Sequence, residues 1–169
     1  MKKHRGMRPH DIVVLLKIAT KGDSLWYMKD IAYELGISQS EVSESLNRSV
    51  YGGLIAGDKK ILLRNAMLEF IEHGIRYVFP QKPGTLTRGM LTAHSAPPLS
   101  GLIASKTKYV WPWANGKDRG LAIEPLHPSV PEACSKDSLL HKMLGLTDTM
   151  RVGKAREKRL AIEELSTML

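Results

Sequence analysis

The chain has 169 residues, 43% of them hydrophobic, with 25 Lys and Arg against 17 Asp and Glu; the formal charge is +8 and the pI near 9.6. That apolar content excludes a disordered chain, and the length suits one ordinary domain or a small domain with an appended second one. The basic balance favours polyanionic partners such as nucleic acid or an anionic membrane, and serves solubility equally well.

A single cysteine, Cys134, excludes an intrachain disulfide and a cysteine-rich zinc site, and fits a cytoplasmic protein. The opening "MKKHRGMRPHD" is basic, but the apolar run after it, Ile12 to Leu16, is too short for a secretory signal or a membrane span.

"RPHDIVVLLKIATKG" predicts a first helix. Pro9 suits its first turn and Asp11 its positive end. Ile12, Leu15, Leu16 and Ala19 share one face, and Lys21 and Gly22 make a stop. "LWYMKDIAYELG" predicts a second helix with Ile31, Ala32 and Leu35 inward and Gly36 as a left-handed end. "SQSEVSESLNRSVYGG" predicts a third, with Val42, Leu46 and Val50 inward. "LIAGDKKILL" reads as a small hairpin with two lysines at its tip. "RNAMLEFIEHG" is a helix capped by Asn65 and ended by Gly74, and "IRYVFP" is a strand stopped by Pro80.

From residue 80 the composition shifts. "PQKPGTLTRGMLTAHSAPPLSG" reads as a linker or as a loop packed across the domain. "YVWPWANGKDRGLAIEPLHPSVP" reads as a β-hairpin turning at Asn115-Gly116, with Pro112 at an edge or bulge. Two C-terminal helices follow, broken at "RVG"; Ala161, Leu165, Met168 and Leu169 stripe the last. The expected fold is therefore α+β and mainly α. A winged helix-turn-helix domain (residues 1–80) precedes a smaller mixed region (81–169) with a hairpin and two helices, for dimerisation, partner binding or sensing.

The helix-turn-helix expectation rests on "MKDIAYELGISQSEV". Ala32 is small where two helices cross, Gly36 permits the sharp turn, and Ile31, Leu35, Ile37 and Val42 fill the wedge between them. Residues from about 9 to 64 resemble the winged-helix domains of MarR-like bacterial and archaeal transcription regulators. The stretch "IAYELGISQSEVSESLNRSVYGGLI" matches their Ala-x-x-Leu-Gly turn, Ser-capped recognition helix and Gly-Leu-Ile entry to the wing. This resemblance implies sequence-specific binding of double-stranded DNA by a homodimer. The short "GDKK" tip departs from a long wing and points to a phosphate contact rather than minor-groove insertion. "RVGKAREKRLAIEEL" resembles the ending of winged-helix regulators encoded beside nucleotidyltransferase-like toxins.

The third helix carries two glutamates, which phosphates repel. Ser38 and Glu41 form a Ser-x-x-Glu capping box, so Glu41 reads as structural. Glu44 and Arg48 form an i,i+4 pair, with a cytosine contact by Glu44 as the alternative. The exposed strip left to read bases is Gln39, Ser40, Ser43, Asn47 and Arg48. Phosphate attraction then falls to Lys2, Lys3, Arg5 and Arg8 in the N-terminal arm, Lys29, and Lys59 and Lys60 in the wing. The basic cluster Lys154, Arg156, Lys158 and Arg159 is interleaved with glutamates and reads as a solvated helix face.

The six histidines show no HExxH or paired-ligand spacing, and no phosphate-binding glycine loop is present, so no metal, no cofactor and no enzyme activity are expected. His94 beside Ser95 lacks an orienting acid for a nucleophile pair. Tyr109, Trp111 and Trp113 read as core or dimer interface rather than stacking platforms. The expected function is a DNA-binding transcriptional regulator, a dimeric repressor. The alternative is an antitoxin or adaptor that binds a partner protein encoded nearby and also represses its own operon.

Overall fold

The computed structural model describes residues 5–169. In chain order it contains α1 (Pro9–Thr20), α2 (Met28–Leu35), α3 (Gln39–Tyr51), α4 (Arg64–His73), α5 (Ile75–Val78), β1 (Leu86–Leu91), β2 (Tyr109–Pro112), β3 (Asp118–Ala122), α6 (Val130–Ser135), α7 (Ser138–Val152) and α8 (Ala155–Met168). The architecture is α+β and mainly helical, with one small sheet.

Helix α1 is buried on every side. Its expected inward face is buried, but so are Val13, Val14, Lys17 and Ile18. A helix that is apolar all round needs cover on both faces. Helices α2 and α3 supply one face, and α7 from the second half packs on α1 as well. One hydrophobic core consequently runs from Ile12 to Leu165 and draws on residues either side of position 80. Lys17 is tolerated there because its ammonium lies 2.6 Å from Asp137 and 2.6 Å from Glu34. Burial opposes its charge, yet the hydrogen bonds to Asp137 and Glu34 outweigh burial and hold its pKa above the ordinary lysine value. Asp137 also caps α7 by accepting from the Leu140 N–H, so one carboxylate ties α7 to α1.

Several sequence expectations are corrected. The hairpin at 54–63 is reduced to one bridging pair, Ile55 with Leu62. Asn65 lies inside α4 rather than at its cap, which is Leu63. "IRYVFP" forms the helical turn α5, not a strand: Ile75 is buried against the core, and Phe79 packs edge-on against Phe70. Burial of those side chains outweighs the β-propensity of the run.

The Pro- and Thr-rich segment after residue 80 supplies β1, which pairs antiparallel with both β2 and β3. Strands β2 and β3 are parallel, Tyr109 opposite Leu121, so the expected hairpin is absent and the three strands close into a miniature barrel. Neither Asn115 nor Gly116 has the positive φ a two-residue hairpin turn requires. Close approach is what demands glycine: a Cβ on Gly89 would strike the Trp111 carbonyl, and one on Gly120 would meet the Lys108 carbonyl oxygen at 2.5 Å. Pro112 ends β2 opposite Gly89.

Trp111 is buried and donates its indole N–H to Asp148 of α7. Asp148 also accepts from Thr92 Oγ1 at 2.8 Å and Arg151 Nη1 at 2.9 Å. Burial pushes its carboxyl above the usual range even so. Arg151 donates onward to the carbonyls of Phe79 and Glu124. This hub fastens the barrel to α7. The two C-terminal helices run as expected, with Ala161 and Leu165 of α8 buried. Among the described residues, no helix is long and apolar enough to cross a membrane.

Candidate nucleic-acid interface

Helices α2 and α3 are joined by a three-residue turn that the sequence dictates closely. Gly36 adopts the left-handed conformation, φ 67° and ψ 35°. Its N–H donates to the Tyr33 carbonyl and the Ile37 N–H to that of Ala32, the double bond of a Schellman end. Ile31, Ala32, Leu35, Val42 and Leu46 are buried between the helices. Each such large apolar side chain contributes about 1.5–3 kcal/mol through burial.

Helix α3 starts with both halves of the capping box. Glu41 N–H donates to Ser38 Oγ at 3.1 Å, and Ser38 N–H donates to Glu41 Oε2 at 2.7 Å. Those bonds hold the Glu41 carboxyl below the ordinary range. Its charge is thereby turned to the helix start, where the helix dipole favours it.

Gln39, Ser40 and Asn47 are exposed and Ser43 is half-buried. None of these four side chains has a protein hydrogen-bond partner among the described residues. Arg48 is different. Its Nε and Nη2 donate to the two carboxylate oxygens of Asp11 at 2.9 and 2.8 Å, and Nη2 also meets His10 Nε2 at 3.1 Å. Asp11 in turn accepts from the Arg8 N–H at 2.8 Å and so caps α1. The Arg48 side chain is 12% exposed and that of Asp11 0%. Glu44, the brace expected from i,i+4 spacing, stands 3.9 Å away and contributes far less. Arg48 therefore clamps α3 to α1 instead of joining the open strip. Its partner lies 37 residues away, a distance at which local spacing gives no signal.

Tyr51 was missed by the sequence reading. It is 70% exposed and one helical step beyond Asn47, where the same i,i+4 count would have found it. Asn47, Val50, Tyr51, Arg48 and Arg5 line a groove of about 370 Å³, and the Arg5 guanidinium lies 5.9 Å from the Tyr51 ring centre. Arg5 thus stands beside the end of the strip at Asn47.

No family model, curated protein or solved structure matches this chain.

The remaining expected phosphate contacts divide. Lys2 and Lys3 lie outside the described residues. Arg8 and Lys29 are exposed, Lys29 over the Tyr27 ring at 5.8 Å. Lys59 has a positive φ of 60° at the tip of the 55–62 turn. Lys60 folds back: its ammonium sits 4.3 Å from the Trp26 ring centre and 3.4 Å from the Trp26 carbonyl. That contact holds Lys60 against Trp26, in the segment between α1 and α2.

His94 Nε2 contacts the Thr107 carbonyl at 2.8 Å, and Ser95 Oγ accepts from the Tyr109 N–H at 2.9 Å, so the two face different partners. Tyr109 is half-buried with its ring edge-on to His94. Trp113 is half-buried. Cys134 is buried, and burial pushes its thiol pKa well above the ordinary value.

Proposed function

We propose that this chain is a cytoplasmic winged helix-turn-helix transcription regulator that binds duplex DNA as a homodimer and represses by occupying an operator. On this reading α2 and α3 are the helix-turn-helix, α3 enters the major groove, and the 55–62 turn is a minimal wing. The supporting observation is the open strip of α3. A capped helix presents Gln39, Ser40, Ser43 and Asn47 with no partner among the described residues, while its charged neighbours Glu41 and Arg48 are held by the fold. Amide and hydroxyl side chains read base edges, Gln and Asn pairing with adenine in a bidentate manner. Arg5, Arg8, Lys29 and Lys59 would hold phosphates and set the register.

The test is selection of bound duplexes from a random library, followed by mass measurement of the complex. The expected result is a paired motif with half-sites about one helical turn apart and two chains per duplex. No enrichment over the starting pool at physiological salt would reject the reading.

A further inference from the structure

Half of the chain's formal charge sits on the miniature barrel. Residues 84–122 carry Arg88, Lys106, Lys108, Lys117 and Arg119 against one acid, Asp118. Strand alternation sorts them. Arg119 and Leu121 project to one face of β3, Lys117 stands just before that strand, and Leu86 and Arg88 project to one face of β1. Pairing places Arg88 directly opposite Arg119. Lys106, Lys108, Lys117 and Arg119 line a single open groove of about 580 Å³, with Leu86 and Leu121 as its apolar part.

Stability does not account for this arrangement. Like charges directly opposite on a sheet destabilise it. Charged side chains often guard an open sheet edge against aggregation, but these three strands close on one another and leave no such edge. The acid present compensates little: Asp118 reaches Lys108 at 3.9 Å, and both are well exposed. Arg88 and Arg119 have no acidic partner among the described residues. A cationic groove with unspent charge fits a polyanion.

We propose that this groove binds the phosphate backbone of duplex DNA, independently of sequence. The lining residues include no aromatic side chain on which an unpaired base would stack, which favours a duplex over a single strand. The groove thus adds phosphate contacts from a part of the chain remote in sequence from α3. It does not depend on α3 reading bases.

The experiment titrates the full chain with a random-sequence duplex over a salt series and reads log Kobs against log salt. Each phosphate contact contributes about 0.9 to the slope. Replacing Lys106, Lys108, Lys117 and Arg119 by Gln together is expected to lower the slope by about 3–4, while Lys108→Arg with Arg119→Lys keeps it. Circular dichroism melts check folding. Should the quadruple variant unfold, Lys106→Gln with Lys117→Gln, both outside the strands, is expected to lower the slope by about 1–2. An unchanged slope in a folded variant overturns the proposal. So does tighter binding of phosphatidylserine vesicles or single-stranded RNA through the same four residues. If Asn47→Ala leaves sequence preference intact while the groove variant loses its slope, base reading by α3 fails and the groove stands.

Discussion

Arg48 was expected to face DNA and is instead the clamp between α3 and α1, so its removal should be felt in stability first. Arg48→Ala would strip Asp11 of both guanidinium hydrogen bonds and leave its fully buried carboxylate with the Arg8 N–H. Breaking one side of a buried pair costs about 3–5 kcal/mol, because the remaining charge stays desolvated. A domain is stable by only about 5–15 kcal/mol in total, so this is a large share. At about 2–4 °C per kcal/mol for a domain of this size, the melting temperature should fall by roughly 6–20 °C. Urea denaturation followed by far-ultraviolet circular dichroism gives the free energy. Asp11→Ala and the double variant complete a cycle, in which the second substitution should cost much less once the first is made. An exposed arginine on a reading strip would cost within about 0.5 kcal/mol. A loss that small for Arg48→Ala would refute the clamp.

Other consequences are open to simpler tests. His10 and His127 meet edge to face at 5.6 Å between ring centres, and burial lowers both pKa values from the ordinary 6.5. The unfolded chain therefore takes up protons first: stability is full above 6.5 and declines as pH falls through 6.5 towards the lowered values. Urea midpoints should drop over that window and flatten in the His10→Gln, His127→Gln variant; a midpoint independent of pH there contradicts the burial. Cys134 should resist a thiol reagent in the native protein and react only on unfolding, and rapid native labelling would contradict its packing. Residues 1–80 expressed alone should lack a cooperative melt, because removing α7 exposes the far face of α1; a sharp transition would show that face to be dispensable.

The sequence carried the local features well. The α2–α3 turn and the Ser38–Glu41 cap depend on side chains three or four residues apart and on one left-handed glycine, and they appear as expected. The long apolar periods of α1, α7 and α8 were legible for the same reason. What was lost depends on distant partners. The Arg48–Asp11 clamp, the Lys17–Asp137 tie and the Trp111–Asp148 bond link positions 37, 120 and 37 residues apart. The barrel was hidden because β1 lies in a Pro- and Thr-rich stretch and because β2 and β3 run parallel. Asn115-Gly116 suggested a turn type, whereas Gly116 is needed for close approach to the Gly89 backbone. The apolar pattern of α1 showed one face clearly; its second face was visible only once α7 was placed against it.

Two properties of α3 then fit together. The fold fixes Glu41 through Ser38 and Arg48 through Asp11, leaves Glu44 exposed, and leaves the small polar side chains open. The central claim is that this open strip discriminates between base pairs while the cations elsewhere supply affinity. The most direct measurement compares the base preferences of the native chain and of Ser40→Ala and Asn47→Ala across a full set of point variants of the selected duplex, at several salt concentrations. The account expects preference to relax at particular base pairs by about 1–3 kcal/mol, with the salt slope unchanged. Uniform weakening on every duplex with a reduced slope, or no change at all, would contradict it.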